Sequence, residues 1–392
     1  ALAPEDDIVR LGAISAIVAE AGPQAAIAAL QRTLAERPGW GEGHAQLARL
    51  LWASGERETF ARSFEDAVAA APRDINLWGK YLASLVFAQR SEDVLAVLGR
   101  ARLAAGAHPM FDLYEANAED DLGHRAAAAR LFDALAPLND PMVALYRLRH
   151  LLRARRDREA AMLAERWAAT AYGAQFLPYL SLVWRLTGDP RWQWLEGDER
   201  LIGVYDLGEA VGPLGELAER LRALHVTSGQ PLDQSVRGGT QAEYILTRVG
   251  PEFRALRAAL VAAVERHIAQ LPPDPAHPVL APPRGRPVRL SGSWSVRLGG
   301  AGHHVSHVHP GGWFSSAFYV ALPEAEMGGP DHAGWLALGE RPGELGLDLP
   351  PIRLVEPKPG RLVLFPSTMW HGTRPFGAGE RLSVAFDVAR PR

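Results

Sequence analysis

Several features are missing from this chain of 392 residues, and each absence removes a class of protein. Without cysteine there are no disulfides, no thiolate catalysis and no cysteine-bound metal, although a reducing and an oxidising compartment fit equally well. No apolar run approaches the ~18 residues that cross a bilayer, so we expect no membrane segment. The net charge of -3 shows no basic excess, so neither nucleic acid nor an anionic membrane surface is an expected partner.

The start of the chain contains no basic segment followed by an apolar one. No signal peptide is therefore visible, and we expect a cytoplasmic protein. Because the chain begins without methionine, a leader that had been cleaved would leave no trace. With 47% hydrophobic residues, the chain is long enough for two domains that each bury a core.

Three histidines and one arginine in the C-terminal part form the most informative pattern. His307 and His309 are separated by one residue ahead of a predicted strand, His371 follows another predicted strand, and Arg381 comes ten residues later. Imidazole suits Fe(II), and three protein ligands on one face of the metal leave positions for a chelating cosubstrate and for oxygen. A planar guanidinium can pair with a carboxylate through two hydrogen bonds. The pattern therefore indicates non-haem iron chemistry with a carboxylate-bearing cosubstrate.

The middle histidine departs from the usual pattern of such sites. His309 stands where an aspartate or glutamate is normally found, and three neutral ligands would leave more positive charge on the iron. Two interpretations stay open at this point. Either His307, His309 and His371 all bind the metal, or only His307 and His371 do and His309 lies behind them.

Strand alternation predicts which neighbouring side chains face the same pocket. Residues 314–320 are aromatic and β-branched and predict a strand whose one face carries Tyr319, placed to donate its hydroxyl to a bound carboxylate. In the strand predicted over 381–388, Arg381 shares the more polar face with Ser383, Ala385 and Asp387. Trp294 and Arg297, on a predicted inner strand, are weaker candidates for the pocket.

Three segments, 291–298, 307–316 and 364–373, resemble the 2-oxoglutarate-Fe(II) oxygenases that follow tetratricopeptide repeats in bacterial proteins. They are similar, more distantly, to prolyl hydroxylases and to the aspartyl/asparaginyl β-hydroxylase. The resemblance covers residues 175 to 392 and implies a double-stranded β-helix fold. It also implies Fe(II) bound by His307 and His371, with 2-oxoglutarate anchored by Arg381. At the position of His309 prolyl hydroxylases carry aspartate and the β-hydroxylase has no ligand.

The predicted strand faces and the resemblance together suggest roles for residues around the pocket. Tyr319 or Ser383 would help Arg381 to hold 2-oxoglutarate, and Arg297, on a predicted inner strand, is a weaker member of this cofactor-binding set. The polar loop predicted over 233–241 lacks the lysine of a phosphate-binding loop. It would instead help to form the mouth of the pocket.

Residues 1–170 have a different texture, with alanine, leucine, arginine and glutamate at helical spacing. Pro38 and Pro72 lie 34 residues apart, and Phe60, Phe64 and Ala67 take the small or aromatic positions of a second repeat helix. This pattern resembles the tetratricopeptide repeat, whose helix pairs bury their apolar faces by stacking. Such repeats form a groove that usually binds an extended peptide or a partner protein. A helical bundle without repeats remains the alternative.

We therefore expect a multidomain α and β protein. It would have tetratricopeptide-like helical repeats over 1–170, a helical connector over 171–230 and a double-stranded β-helix (jelly-roll) oxygenase domain over 231–392. A helix predicted over 251–271 would pack against the outside of the barrel. The expected function is Fe(II)- and 2-oxoglutarate-dependent hydroxylation of a peptide or protein side chain presented by the repeat domain.

Two alternatives stay open. A cupin-like dioxygenase could use three histidines without 2-oxoglutarate, and it would give Arg381 no necessary role. A non-catalytic repeat scaffold with a degenerate barrel would leave the intact set of metal ligands unexplained.

Overall fold

The computed structural model describes residues 6–283, 285–323, 328–329 and 331–391. The chain forms two compact units. One consists of Ala1–His150 with Val226–Gln234, and the other of Leu151–His225 with Ser235–Arg392. Compactness alone does not define where a functional domain begins, so the division predicted at residues 170 and 230 stays a prediction.

Helices account for most of the first 225 residues, which confirms the predicted helical N-terminal half. In chain order they are α1 (Asp7–Glu36), α2 (Gly41–Ala53), α3 (Arg62–Ala70), α4 (Ile75–Phe87), α5 (Ser91–Ala105), α6 (Pro109–Asp121) and α7 (Arg125–Leu135). Then come α8 (Pro141–Arg153), α9 (Asp157–Ala168), α10 (Gly173–Thr187), α11 (Gly208–Val211), α12 (Leu214–Arg222) and α13 (Pro251–Gln270).

The first unit has an apolar core in which Phe64, Trp78 and Leu82 are buried. Capping helps to define its helices: the Asp74 carboxylate accepts hydrogen bonds from the first backbone N–H groups of α4. The segment 226–234 belongs to this unit, because the Gly229 N–H donates to the carbonyl of Ala53 and Leu232 enters the core.

Helix α1 is long and apolar enough, by length and composition alone, to cross a membrane. We had expected no such segment, because charged residues interrupt every apolar run in the sequence. They are too few in α1 to bring its mean hydropathy below that of helices that cross membranes. The helix kinks at Gly22, whose φ is 84°, immediately before Pro23. Beyond the kink it buries Ala26, Ile27 and Leu30 in the core of the first unit, and core helices of soluble proteins have the same composition.

The second unit contains two antiparallel sheets, so the predicted antiparallel β architecture of the C-terminal half is confirmed. The strands are β1 (Gly203–Asp206), β2 (Val236–Glu243), β3 (Leu290–His304), β4 (Gly312–Ala321), β5 (Leu336–Leu338), β6 (Arg353–Val355), β7 (Arg361–Pro366), β8 (His371–Thr373) and β9 (Arg381–Ala389). The larger sheet has the order β1-β7-β4-β9-β3-β2, and the smaller one β6-β5-β8. Strand β1 lies within the stretch that was predicted as a helical connector.

The two faces of the larger sheet carry different kinds of side chain. On one face Leu382, Val384 and Phe386 of β9 pack against α12 and α13 in a shared apolar core. Helix α13 thus covers the outside of the sheet, as predicted. The alternate residues of β9, Arg381 and Ser383 among them, line a pocket on the other face.

The segment predicted as a polar loop over 233–241 is mostly strand. Strand β2 pairs with β3 from Val236 to Glu243, and the pairing shifts register between Arg237 and Gly239. Gly238 has a φ of 68° at this bulge, a backbone conformation that glycine adopts without strain. The glycines of the sequence therefore mark a β-bulge here and not the apex of a loop.

Candidate metal and cosubstrate site

The three histidines of the motif lie together at one end of the pocket. His307 and His371 form an isolated antiparallel bridge, in which the N–H of each donates to the carbonyl of the other over 2.9 and 3.0 Å. The His309 N–H donates to the Ser367 carbonyl at 2.8 Å. Backbone hydrogen bonds therefore fix segments that are distant in sequence. One ligand atom from each imidazole lies within 4.8 Å of the others.

Each imidazole uses its Nδ1 atom for a hydrogen bond to an acceptor behind it. In His307 and His371 the acceptors are the backbone carbonyls of Val305 at 2.8 Å and Met369 at 2.9 Å. A carbonyl can only accept, so Nδ1 of both rings carries the proton and Nε2 keeps its lone pair. In His309 the acceptor is the carboxylate of Asp387. A hydrogen bond from Nδ1 to an acceptor behind the ring orients histidine ligands in metal sites.

Removal from water keeps two of the rings neutral. Desolvation, followed by repulsion from His309, lowers the pKa of His307 to about 3. Desolvation, followed by repulsion from His307, holds the pKa of His371 well below its ordinary value. Metal binding requires the unprotonated imidazole. Two neutral imidazoles that carry no proton on Nε2 are suitable ligands for Fe(II).

A glycine allows the segment that carries His309 to approach its neighbour. A Cβ atom at Gly312 would lie 2.4 Å from the Ser367 hydroxyl oxygen. The same turn is closed by a hydrogen bond from the Gly312 N–H to the His309 carbonyl. Any larger residue at position 312 would push away Ser367, whose carbonyl holds the backbone of His309 in place.

Arg381 is a buried cation with few partners. It is 2% exposed, and its Nη1 atom donates to the carbonyl of Gly334 at 2.7 Å. Its Nε atom has no hydrogen-bond partner, and none of the described carboxylates is paired with it. Desolvation lowers the pKa of this guanidinium from its ordinary value, and an arginine nevertheless remains charged. A buried cation of this kind requires an anion from elsewhere.

Tyr319 and Ser383 surround the arginine. The Arg381 guanidinium carbon lies 4.9 Å from the centre of the Tyr319 ring, and Tyr319 is opposite Ser383 across the β4–β9 pair. The Tyr319 side chain is fully buried, and its hydroxyl interacts with the Arg381 guanidinium. Burial raises the pKa of this hydroxyl, so it stays protonated and can donate. Three residues predicted to hold a carboxylate thus lie together.

The two weaker candidates occupy opposite faces of β3. Trp294 lines the pocket, with its ring 5.4 Å from that of His309. Arg297 is exposed on the other face and pairs with Glu380. The two residues are three apart, and side chains alternate along a strand, so they cannot share a face. The prediction that Arg297 helps to bind the cosubstrate therefore disagrees with its position.

Sequence reasoning missed two residues beside the histidines. His304 lines the pocket and stacks on His307, with 5.9 Å between ring centres. The Ser235 hydroxyl lies 3.0 Å from Nδ1 of His304 and 3.2 Å from Nε2 of His307. Strand alternation from His307 could not find His304, because β3 ends at that residue and the chain bends before the motif. Ser235 lay in the segment expected at the pocket mouth, but no pattern singled it out.

Comparison with known families agrees with the chemistry of these residues. Residues 292–387 match a family model described as "Putative 2OG-Fe(II) oxygenase", where 2OG is 2-oxoglutarate. The match contains all three histidines and Arg381. No curated protein matches the sequence.

Several solved structures are similar at low levels. An oxidoreductase of the 2OG-Fe(II) oxygenase family from Burkholderia pseudomallei has a TM-score of 0.33 and 15% identity, covering 49% of this chain and 86% of its own. A prolyl-4-hydroxylase from Pseudomonas putida has a TM-score of 0.32 and 17% identity, covering 49% and 94%. A prolyl hydroxylase from Trichoplax adhaerens, in complex with a peptide fragment of hypoxia inducible factor, has a TM-score of 0.33 and 16% identity, covering 53% and 93%. Nothing about the substrate follows from similarities this low.

Proposed function

We propose that this chain, whose residues 292–387 match the model of the 2OG-Fe(II) oxygenase family, hydroxylates a side chain of a peptide or protein. The overall reaction would convert the substrate, 2-oxoglutarate and oxygen into hydroxylated substrate, succinate and carbon dioxide. Fe(II) would supply the activation of oxygen. The protein would orient the reactants and exclude water.

One observation carries the proposal. Three imidazoles, whose ligand atoms lie within 4.8 Å of one another, line the same pocket as a buried arginine that has no carboxylate partner among the described residues. A metal alone would not require Arg381, and an anion alone would not require three converging imidazoles. A cosubstrate that combines a chelating group with a distant carboxylate satisfies both.

The residues then have distinct roles. His307 and His371, with His309 as the third ligand, would hold Fe(II). Arg381 would pair with the distal carboxylate of 2-oxoglutarate, and Tyr319 would donate its hydroxyl to the same group. Apolar pocket walls that include Val296, Leu336 and Phe365 keep the local dielectric low, which strengthens the pairing of guanidinium and carboxylate.

We further propose that the first compact unit, Ala1–His150 with Val226–Gln234, recognises the peptide or protein substrate through stacked, tetratricopeptide-like repeats. This unit is called the helical unit below. Two observations support this proposal. Pro38 and Pro72 are 34 residues apart in the sequence, and helices α2 to α7 follow one another with only short connecting segments between them. Phe64 and Ala67, predicted at packing positions, are buried in α3. Binding at a surface remote from the chemistry would orient a long substrate.

The test of the enzymatic proposal starts without oxygen. Fe(II) and then 2-oxoglutarate are titrated anaerobically into the full chain, oxygen is admitted, and succinate is measured together with the mass of candidate peptides. We expect succinate to form only when Fe(II) and 2-oxoglutarate are both present, and a suitable peptide to gain the mass of one oxygen atom. Oxygen consumption with iron but without 2-oxoglutarate would favour the cupin-like alternative. Failure of the full chain to bind Fe(II) would refute the proposed metal site.

The role of the helical unit is tested by deleting residues up to 150 while replacing Leu232, which would lose its apolar surroundings, by serine. We expect the shortened protein to convert 2-oxoglutarate to succinate without modifying a long substrate. The matched control is the full chain with Leu232→Ser alone. Normal modification of the long substrate by the shortened, folded protein would contradict the proposal.

A further inference from the structure

The three histidines differ in the group that accepts a hydrogen bond from their Nδ1 atom. For His307 and His371 the acceptor of the Nδ1 proton is a neutral backbone carbonyl. For His309 it is a carboxylate, with Nδ1 at 2.9 and 2.8 Å from the two oxygens of Asp387. The histidine in the place of the usual acidic ligand is thus the one backed by an acidic group.

Asp387 is held in this position by a chain of hydroxyl groups. It lies opposite Ser315 across the β4–β9 pair, and the Ser315 hydroxyl donates to its Oδ1 atom at 2.6 Å. The Ser315 and Ser367 hydroxyl oxygens are 3.0 Å apart. Because Ser315 donates its proton to the carboxylate, Ser367 must donate to Ser315. The carboxylate therefore accepts hydrogen bonds from a serine and an imidazole, which fixes its orientation.

We infer that Asp387 is a positioning residue for the metal site, holding His309 with Nε2 directed toward His307 and His371 and supplying the negative charge that these ligands lack. The inference rests on the proposed function, because it assumes that the three imidazoles bind iron. Three neutral ligands leave the charge of Fe(II) uncompensated. A carboxylate one imidazole away compensates part of it and makes the imidazole a stronger donor.

A purely structural aspartate would behave differently from a positioning one. If Asp387 only satisfied a buried N–H group, an asparagine carbonyl would replace it, since backbone carbonyls do that task for the other two rings. If its charge matters, Asp387→Asn should keep the orientation of His309 but weaken metal binding. Asp387→Ala should lose both.

The experiment uses Co(II) as a paramagnetic probe in the full chain. The Nδ1 protons of metal-bound imidazoles give strongly shifted NMR signals that disappear in deuterated water. We expect three such signals for the unchanged protein and, in Asp387→Ala, the loss or rapid exchange of one. Affinities for Co(II) and Fe(II) are measured anaerobically, and we expect a roughly 10- to 100-fold loss in Asp387→Ala and a smaller loss in Asp387→Asn. Asp206→Asn, which removes a carboxylate paired with Arg361 on the protein surface, is the matched control and should change neither quantity.

A second pair of variants tests the charge directly. His309→Asp alone would place two carboxylates side by side and should bind metal poorly. The double variant His309→Asp/Asp387→Asn removes this repulsion and should bind metal more tightly than the single variant.

The outcomes separate the inference from the proposal on which it rests. Three signals that persist unchanged in Asp387→Ala, with metal affinity within two-fold of the unchanged protein, would overturn the role of Asp387 and leave the three-histidine site intact. Two signals in the unchanged protein would show that His309 is not a ligand and would overturn the inference, while a two-histidine site survived. Failure of the unchanged protein to bind either metal would overturn the proposed function itself.

Discussion

The two compact units each bury a cluster of polar side chains, and the clusters differ in whether they are complete. In the helical unit the Asp120 carboxylate lies 2.6 Å from Nδ1 of His150 and 3.0 Å from a guanidinium nitrogen of Arg125. Every charge there has a partner within the protein. In the other unit the Nε atom of the buried Arg381 has no hydrogen-bond partner, and none of the described carboxylates is paired with this guanidinium.

The difference teaches how to separate a structural cluster from a binding site. Buried polar groups are normally satisfied, and a native structure that leaves a buried guanidinium without a counter-ion has a reason for doing so. Both clusters contain buried ionisable side chains, so residue type alone does not distinguish them. Only the accounting of hydrogen bonds identifies the cluster around Arg381 as one that requires a ligand.

The largest expected effect comes from removing a metal ligand. His307→Ala or His371→Ala should abolish Fe(II) binding and succinate formation, because a site with two remaining nitrogen donors loses most of its affinity. Thermal unfolding should change little for His307, which lines a pocket. Iron stoichiometry after anaerobic desalting checks the prediction. One iron per chain retained in either variant would refute the assignment.

The next largest effect is expected from a change to the cluster of Asp120, His150 and Arg125 in the helical unit. Asp120→Ala should destabilise the helical unit by about 1–3 kcal/mol, because it leaves the buried Nδ1 donor of His150 without an acceptor. Denaturant unfolding measures this change. In the protein that remains folded, the affinity for Fe(II) and the dependence on 2-oxoglutarate should stay unchanged. A changed metal affinity would show that the two clusters are not independent.

A third buried group, Glu196, gives a dependence of stability on pH. It is fully desolvated beside the Ser181 hydroxyl, and burial raises the pKa of its carboxyl to about 7. A raised pKa means that the folded state binds the proton more tightly than the unfolded state. The stabilisation is therefore present at acidic pH and is lost as the pH rises through about 7.

Glu196→Gln tests this dependence, because glutamine cannot ionise. The variant should be more stable than the unchanged protein above pH 8, by up to about 3 kcal/mol, and should differ little from it at pH 5. Unfolding by urea at both pH values provides the measurement. An equal difference at the two values would mean that the carboxyl does not titrate in this range.

The smallest effect, about 1.5–3 kcal/mol for a hydrogen bond to a charged group, is expected for Arg381→Ala. The KM for 2-oxoglutarate should rise by about 10- to 150-fold, as that energy implies, while Fe(II) affinity stays within a few-fold. Initial rates of succinate formation over a range of 2-oxoglutarate concentrations decide the matter. Arg297→Ala, on the opposite side of the sheet, is the control. An unchanged 2-oxoglutarate dependence in Arg381→Ala would shift support to a dioxygenase that does not use this cosubstrate.

Alternation along single strands was the most reliable guide to the C-terminal half. It predicted that Arg381 and Ser383 face the pocket, and the neighbouring Leu382 packs on the opposite face. The same rule, applied between Trp294 and Arg297, would have separated these two residues at once. A short strand such as β5, with three residues, is too brief to show any period, and so it left no signal in the sequence.

Contacts between distant segments could not be predicted. The pairing of Ser235 with His304 joins residues 69 positions apart, and nothing local records it. The carboxylate of Asp387 was placed on the correct face of its strand, but its bond to His309 depends on the register between β4 and β9. That none of the described carboxylates is paired with Arg381 is likewise a property of the folded arrangement and not of any pattern.

The strand order has a consequence for how the protein is made. Strand β9 comes last in the chain, yet it occupies the interior of the larger sheet between β4 and β3. Until it has left the ribosome, β3 and β4 each expose an unpaired edge, and exposed edges invite association with other chains. A stop codon before residue 381 would therefore split the sheet through its middle. The same strand carries Arg381 into the pocket and brings Asp387 to His309, so the pocket is completed only when β9 has paired between β3 and β4.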